Sequence, residues 1–517
     1  MKNLFTSRWL KLVSRVGSAY YRFSSRRCLY GLLALTACLL GFSPQVAGQQ
    51  QTIFQGEMEL GSIISSKATT PFWLRTNHYG IIPREAPAGI FQAAIQKHYR
   101  QPDSVHTQKV DWSFTLNPVM TQNQADRLKL FLVEANLSVR FKALELYVGR
   151  RRQVTGLGDT TLTSGFYAVS GNALPLPKIQ LSTVGYAPLH FTGDWVAINA
   201  GLAHGWYQMA SLQGVRLHQK YFYLRLGKPG SLIKGYMGLN HQVQWAGHAE
   251  YLKQRPDIAD ANGYFPSDWK FYRYVFFSYT PKDWAKVAGY TSFDSYRVGN
   301  SLGSIDIGVE FNLPSGRWLA YHQHAYDDVS GIVFKNVPDG LWGLSYRPGP
   351  GQQTAFQINR ITAELLTTTN QSGATFYIPG SSYQGGDNYY NHSQYAQGWS
   401  YLGRTIGTPF IAPRQDFDPA SALAAGAFFS NNRVTMGYIG AQAIYRKATL
   451  LLRTSYSWNA GTFSQPTPGT LVQFSMLAGA QIPITRYKVL LMASAALDTG
   501  DLYTPAIGGY IGLKKKW

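Results

Sequence analysis

The most regular pattern in the chain is an alternation of apolar and polar residues that begins after Ser304. One face of this segment would be apolar and the other polar, which is the period of two expected of a half-buried strand. The apolar positions are Ile305, Ile307, Val309 and Phe311, and the polar ones are Asp306, Glu310 and Asn312. A turn at residues 313–316 follows, and residues 318–326 are predicted to run back as an antiparallel partner.

The same alternation recurs along the chain, with turn residues between most segments. Representative segments start at Phe54, Val110, Leu128, Leu144, Val196, Phe222, Leu471 and Val489. The phase slips near Glu134, as a β-bulge would produce. We therefore predict an all-β fold, a transmembrane antiparallel β-barrel of about 18 strands at ~25 residues per strand with its connections. It would carry long extracellular loops and short plug helices, with residues 419–429 as the best helix candidate.

The two ends of the chain indicate export and membrane assembly. Residues 1–27 contain seven Lys and Arg and no acidic residue, residues 28–42 are apolar, and a cleavage site lies near Gly48. We expect a signal peptide over residues 1–48, a single barrel domain over residues 49–517, and a location in the bacterial outer membrane. Cys28 and Cys38 both lie in the signal, so the mature chain would form no disulfide. The last predicted strand, residues 507–517, ends in Trp517, the kind of terminus that the barrel assembly machinery reads.

Composition favours anionic neighbours. The chain carries 48 Lys and Arg, and removing the seven in the signal leaves 41 against 27 Asp and Glu. The basic residues are scattered over loops, and the compartment excludes nucleic acid. Capsular or other surface polysaccharide, outer-membrane lipid and the phosphates of lipopolysaccharide are therefore the expected partners. The 34 Tyr, 27 Phe and 13 Trp suit two aromatic girdles at the membrane interfaces.

Six short motifs occur in order along the mature chain. They are FWLRTN at 72–77, GNALP at 171–175, YHQHAYDDVSG at 321–331, DGLWG at 339–343, DNYYN at 387–391 and GWSY at 398–401. Together they resemble the Wzi family of outer-membrane capsule-assembly proteins, in the form found in Bacteroidota. The resemblance implies a barrel of approximately eighteen strands, closed to free diffusion, that acts as a lectin-like anchor for capsular polysaccharide. It implies no catalysis.

Two further motifs mimic catalytic signatures, and we interpret both as structural. Residues 299–303 fit the Gly-x-Ser-x-Gly nucleophile elbow, but that elbow precedes a helix and here a strand follows. Asp498-Thr499-Gly500 occurs once, where the last two strands must turn. The chain is therefore predicted not to be an enzyme, because an outer-membrane hydrolase would need a catalytic set that the sequence does not supply.

Histidine offers one possible metal site. His322 and His324 lie two residues apart on a predicted strand, so their side chains would share a face, with Glu310 nearby. Such a trio could bind a divalent cation. A lumen lined by ordinary polar side chains is the favoured alternative, and no metal or cofactor is predicted.

The candidate polysaccharide contacts combine carboxylates and amides for sugar hydroxyls with flat rings for the apolar faces of pyranoses. They are His322, His324, Asp327, Asp328, Asp387, Asn388, Tyr389, Tyr390, Asn391 and Trp399. The competing interpretation is that residues 385–392 pack against the barrel through their own Asn and Tyr hydrogen bonds, because turns also select Gly, Asn and Asp. The leading functional hypothesis is a lectin-like capsule anchor, and the alternative is a porin or substrate-selective channel.

Overall fold

Antiparallel strands form a closed wall in the computed structural model, which describes residues 53–100, 110–209, 211–295, 298–349, 354–375 and 385–517. Each strand pairs with its neighbours in the chain, and the last pairs with the first. The strands are β1 Phe54–Ser65, β2 Ala88–Lys97, β3 Val110–Gln122, β4 Lys129–Phe141, β5 Leu144–Arg150, β6 Lys178–Thr183, β7 Val196–Trp206, β8 Arg216–Leu226, β9 Ile233–Trp245, β10 Asn300–Leu313, β11 Gly316–Tyr326, β12 Gly340–Pro348, β13 Phe356–Thr367, β14 Val434–Tyr445, β15 Ala448–Gly461, β16 Pro466–Ile484, β17 Val489–Gly500 and β18 Ala506–Lys516. A two-residue segment, Ala187–Pro188, extends β6 beside β7.

The seam between β1 and β18 closes the barrel, with Leu60 opposite Leu513. Closure leaves no sheet edge unpaired, as a lipid environment requires. The predicted fold class, a transmembrane antiparallel barrel of about 18 strands, is therefore confirmed. Thr52–Lys516 form one compact unit, and the last strand ends at Lys516. The predicted signal peptide lies outside the described residues.

The apolar face of the strands points outward and the polar face points into the barrel. On β10 the side chain of Ile307 is 55% exposed on the outer wall, whereas Asp306 is 0% exposed and accepts a hydrogen bond from inside. The predicted orientation of this strand is confirmed. The bulge near Glu134 is also confirmed, because the register between β3 and β4 shifts beside Pro118.

The two ends of the barrel differ in the length of their connections. Tight turns join β4 to β5, β10 to β11 and β14 to β15 at one end, which we call the short-turn end. Five long connections meet at the opposite end, which we call the mouth, and they are residues 66–87, 151–177, 246–299, 327–339 and 368–433. This asymmetry is typical of outer-membrane barrels, whose long loops are extracellular.

Helices within the described ranges are few and short. The α-helices are Phe72–Arg75, Trp269–Phe277 and Val329–Ile332, and single 3₁₀ turns occur at His190–Thr192, Glu250–Gln254, Trp284–Lys286, Ser292–Ser295, Arg414–Asp416 and Thr485–Tyr487. Two-residue strands pair Gly247–His248 with Tyr264–Phe265 and Ser400–Tyr401 with Arg404–Thr405. Among the described residues, no helix is both long enough and apolar enough to cross a membrane.

The helix predicted at residues 419–429 is wrong, since this stretch consists of turns and bends. The apolar side chains of this stretch pack into different hydrophobic clusters. Leu423 is buried in one hydrophobic cluster and Phe429 in another. Tertiary packing therefore overrides the helix propensity of the alanines between them.

Three of the long connections fold from the mouth into the lumen of the barrel. We call residues 66–87, 151–177 and the described part of 368–433 the plug. Inward side chains of eight strands hydrogen-bond to it, namely Gln219, Asp306, Gln323, Ser345, Glu364, Tyr438, Ser455 and Asp498. Towards the short-turn end, a cavity of about 300 Å³ remains, lined by strand residues such as Glu59, Gln481 and Lys514.

Aromatic side chains are divided between the outer wall and the plug. Outward aromatics lie near the short-turn end, for example Trp112 and Phe356, and near the mouth, for example Trp206 and Trp458. The largest fully buried side chains are also aromatic, and most of them belong to the plug. The high aromatic content therefore reflects a packed plug as well as interfacial positions.

Candidate functional site

The three rings predicted to stack on sugars lie inside the plug. Tyr389 and Tyr390 are 0% exposed and Trp399 is 1% exposed. The Trp399 indole N–H donates to the Ala168 carbonyl at 2.7 Å, and the Tyr390 hydroxyl donates to the Tyr167 carbonyl. Burial raises the pKa of Tyr389 and Tyr390 well above 10, so both hydroxyls remain neutral donors. A sugar could stack on these rings only after the plug had rearranged.

The polar members of the predicted set hold loops together near these rings. Asp387 Oδ2 accepts from the Ser372 hydroxyl at 2.9 Å, and Asp327 Oδ1 accepts from the Tyr167 hydroxyl at 2.9 Å. Asp328 Oδ1 accepts from the Ser330 N–H at 2.8 Å. The amide of Asn391 donates to Asn388 Oδ1 at 2.9 Å and to the Phe429 carbonyl at 2.8 Å. Of this group, the structure leaves Asn388 exposed, and Asp328 and Asn391 half-buried, at the mouth.

The predicted trio of His322, His324 and Glu310 is not assembled. Glu310 points into the barrel, where it accepts from the Lys234 ammonium at 2.8 Å. Both histidines point to the outer wall, because β11 places its inward residues at odd positions such as Gln323, which bonds the plug. The His322 ring stacks on Trp342 with centroids 3.6 Å apart. Among the described residues, no group of three His, Cys, Asp or Glu is arranged to hold a metal ion.

Ser301, the central residue of the Gly-x-Ser-x-Gly match, also faces outward. Its hydroxyl lies 2.8 Å from His241 Nε2, which is the spacing of a nucleophile and a base. No carboxylate among the described residues hydrogen-bonds the other ring nitrogen, Nδ1. Ser301 lies within β10 and therefore lacks the strand-to-helix turn that exposes a nucleophile.

The structure presents a different candidate at the mouth. A cavity of about 160 Å³ lies between residues 80–85, the β3–β4 turn and residues 401–404. Its lining carries the cations Arg84, Lys129 and Arg404, the carboxylate of Asp126 and the largely buried Tyr401. Glu85 also lines it and accepts from the Asn123 amide at 3.2 Å. We call this cavity the rim pocket.

The side chains in and directly behind the rim pocket carry more positive charge than negative charge. Arg75 and Arg84 both form ion pairs with Asp416, the first at 2.7 Å. Burial alone would raise the pKa of Asp416, but the guanidinium groups of Arg75, Arg84 and Arg404 hold it below its ordinary value. Burial and the nearby Arg84 lower the pKa of Arg404 to about 9. An anion placed here would relieve this repulsion.

The basic surface continues along the rim from Tyr401. The Arg150 guanidinium donates to the Tyr401 hydroxyl at 3.0 Å and to Gln208 Oε1 at 3.0 Å. Planar guanidinium groups bind carboxylates through two parallel hydrogen bonds. The rim pocket with Arg150 can therefore hold a carboxylated sugar at Arg84 and Arg404, whereas the ring of Tyr401 is 1% exposed and is not available for stacking.

Sequence reasoning missed most of this site. Arg84 lies in one loop and Arg404 and Asp416 lie in another far along the chain, and no local pattern marks any of the three. The signal that was available is the run Arg150-Arg151-Arg152 at the end of β5, which places consecutive cations at the mouth.

The fold and this site define a plugged transmembrane barrel with an arginine-lined pocket at its mouth. No protein-family profile matches the sequence, and no curated protein matches it either. Among solved structures, the chain is similar to Wzi of Escherichia coli, described as a carbohydrate-binding β-barrel involved in group 1 capsule assembly. That comparison has 13% identity and a TM-score of 0.54, and it covers 88% of this chain and 83% of Wzi.

Two further solved structures are more distant in fold. OccAB2 of Acinetobacter baumannii has 8% identity and a TM-score of 0.44 over 90% of this chain and 97% of its own. OccK2 of Pseudomonas aeruginosa, solved in complex with glucuronate, has 9% identity and a TM-score of 0.43 over the same shares. The likeness to Wzi is a likeness of fold, and the predicted family remains a resemblance.

Proposed function

We propose that this protein is a non-enzymatic outer-membrane barrel that holds an acidic surface polysaccharide at its mouth. The observation that carries the proposal is the rim pocket, where Arg84, Lys129 and Arg404 line a cavity with only Glu85 and Asp126 as lining carboxylates among the described residues, and where Asp416 is already paired with Arg75 and Arg84. Carboxylates of uronic-acid residues would supply the missing negative charge. The fold shared with a carbohydrate-binding capsule barrel and the resemblance of the motifs support the same function.

The plug supports an anchor in preference to a channel. Opening the lumen would break the hydrogen bonds from eight strands, each worth about 1 kcal/mol net. Their sum of about 8 kcal/mol corresponds to roughly one open barrel in 10⁶. Burial of the plug aromatics adds to this figure.

A polymer suits a pocket of this size. A cavity of about 160 Å³ has room for one sugar ring, and single-ring affinities are weak. Repeating units raise the effective concentration of ligand at the rim and multiply the apparent affinity. We therefore expect tight retention of the polymer and weak binding of its monosaccharides.

The test compares Arg84→Gln with Arg404→Gln, separately and together, in a strain whose own copy is deleted. We expect the deletion to leave polymer synthesis intact while polysaccharide moves from the cell surface into the medium, and the double variant to shed similarly. Arg446→Gln with Arg486→Gln is the matched control, because both arginines lie exposed at the short-turn end. Heat-modifiable migration in detergent gels verifies that every variant folds.

Purified protein supplies the direct measurement. Binding of capsular polysaccharide should fall at least tenfold when its carboxylates are reduced to alcohols, which corresponds to the loss of one charge-assisted contact of about 1.4 kcal/mol or more. Equal binding of native and carboxyl-reduced polymer would contradict the proposed chemistry. A deletion strain that keeps a tightly attached capsule while losing uptake of a solute would favour the channel.

A further inference from the structure

The helix Trp269–Phe277 lies against the outer wall of the barrel, not in the lumen. Inward residues of β9 have even numbers, as the bonds of Asn240 to Ser304 and of Gln244 to Asn300 indicate. Val243 and Trp245 therefore face outward, and they form one hydrophobic cluster with the buried helix residues. Phe271 and Val275 are those residues. The helix thus covers the membrane-facing surface of β9 near the mouth.

Contacts at both ends fix the helix in this position. Asp268 caps its start, since Asp268 Oδ1 accepts from the Phe271 N–H at 2.8 Å. At its end, the Lys220 ammonium donates to the Phe276 carbonyl, and a cation at a helix C-terminus is favourable. Lys220 and the exposed Phe222 are two residues apart on β8, so their side chains lie on the same face of the strand. The contact of Lys220 with the helix therefore also lies on the outer wall.

The free side of the helix combines large apolar groups with cations. Trp269 is 81% exposed and Phe277 is 68% exposed. Lys270 and Arg273 lie exposed between them, and neither forms an ion pair with a carboxylate within the described ranges. Such a helix, with aromatic and basic side chains side by side, is typical of segments that lie in a membrane interface.

The wall beside the helix continues this surface. A cavity of about 290 Å³ opens between the helix and loop 327–339, lined by Leu239, Ile305 and Tyr279 among others. Leu239 is itself exposed on the membrane-facing wall of β9. This surface has room for a lipid whose acyl chains lie along the strands and whose headgroup lies beside the helix.

We propose that this surface binds a phosphorylated lipid of the membrane leaflet nearest the mouth. Lys270 and Arg273 contact the phosphate, and Trp269 and Phe277 enter the interface on either side of it. The proposal rests on the membrane-spanning fold and is independent of the polysaccharide function. Its physical basis is charge complementarity at a surface that is continuous with the lipid-facing wall.

The test uses the full mature protein in neutral detergent and a fluorescent diphosphoryl lipid A as probe. Lys270→Gln with Arg273→Gln should weaken binding at least tenfold, as two cations near a headgroup predict. Removing both phosphates from the probe should weaken binding to the wild type similarly and should leave binding to the double variant unchanged. Lys253→Gln with Lys286→Gln is the matched control, because these exposed lysines of the same connection pair with Glu250 and Asp283.

Two results would overturn the proposal. One is equal affinity of the wild type and the Lys270/Arg273 double variant for the phosphorylated probe. The other is full displacement of the probe by inorganic phosphate, which would mean that the site recognises the free anion and not a lipid. Trp269→Ala adds an independent measurement, since it should weaken binding of phosphorylated and dephosphorylated probes by the same factor.

Discussion

Replacing Asp159 with asparagine tests whether charge pairing holds the plug in the barrel. Asp159 lies in the connection 151–177 and is fully buried. Its carboxylate accepts from the Ser345 hydroxyl at 2.7 Å and forms an ion pair with Arg360 on β13. Burial alone would raise the pKa of Asp159, but these donors hold it below its ordinary value. Asp159→Asn keeps the shape of the side chain and removes the charge.

The cost follows from the groups left behind. Removing one partner of a buried ion pair costs about 3 to 5 kcal/mol, and less when the partner reaches solvent. The Arg360 side chain is 16% exposed, so we expect a loss of about 2 kcal/mol. The hydrogen bonds that hold the plug contribute about 8 kcal/mol to the closed state. Lowering that free energy by about 2 kcal/mol raises the population of open barrels about 30-fold.

Planar-bilayer recordings measure that population directly. Wild-type protein should show rare openings, and Asp159→Asn should show them about 30 times as often. Asp194→Asn is the control, because that carboxylate pairs with His190 on the exposed surface. In the double variant with Arg360→Gln the effect should be smaller than the sum of the two single effects, since the buried Arg360 charge is gone and the remaining Arg347, 3.8 Å from Asp159, is 38% exposed. Unchanged opening in Asp159→Asn, or a steady open current in the wild type, would refute the reasoning.

Three further predictions concern the wall, the plug core and a connection at the mouth. Ile307→Arg should hinder assembly by ~2 to 4 kcal/mol at the bilayer midplane, whereas Asp306→Asn should assemble normally, as heat-modifiable gel migration will report. Trp399→Ala should cost about 3 to 5 kcal/mol of plug stability and admit large antibiotics, whereas a surface sugar contact would leave permeability unchanged. Burial raises the pKa of Asp294 to about 6, so its contribution to folding is greatest below about pH 4 and is lost as the pH rises through 6. Protection factors for hydrogen exchange in the connection 246–299, from which the intrinsic pH dependence of exchange is divided out, should therefore be higher at pH 5 than at pH 7.5, and Asp294→Asn should remove that difference.

The barrel wall could be predicted from the sequence because its rule is local. A strand in lipid must present an apolar face outward. Alternation alone therefore predicts that the side chain of Ile307 points to the lipid and that of Asp306 points into the barrel. Even the bulge near Glu134 is visible as a change of phase. The same rule places His322 and His324 in the lumen, whereas both side chains point to the outer wall. Near the mouth that wall is covered by loop 327–339, so its residues need not be apolar. His324, for example, lies 4.6 Å from the ring of Phe334.

The plug and the rim pocket could not be predicted because their contacts join distant loops. Tyr389, Tyr390 and Trp399 have the composition of a sugar site, and the same composition builds a core when aromatic rings carry satisfied hydroxyl or indole groups. Which of the two occurs depends on what lies opposite, here Tyr167. The rim pocket likewise exists only when Arg84 pairs with Asp416 and Arg404 lies on the same cavity, an arrangement that no spacing in the chain specifies.

Binding at the rim should also reinforce closure of the plug, because Arg84 and Arg404 belong to two different plug connections. A carboxylate that bridges them stabilises the closed state by RT ln(1 + [L]/Kd), about 2.7 kcal/mol at a hundredfold excess over Kd. This matches the loss of about 2 kcal/mol expected for Asp159→Asn. Saturating capsular polysaccharide should therefore return the opening frequency of that variant to the wild-type value, and the carboxyl-reduced polymer should not. If the native polymer leaves the openings of Asp159→Asn unchanged although it binds, the rim pocket and the plug are not coupled, because a ligand that favours the closed state must shift the equilibrium towards it.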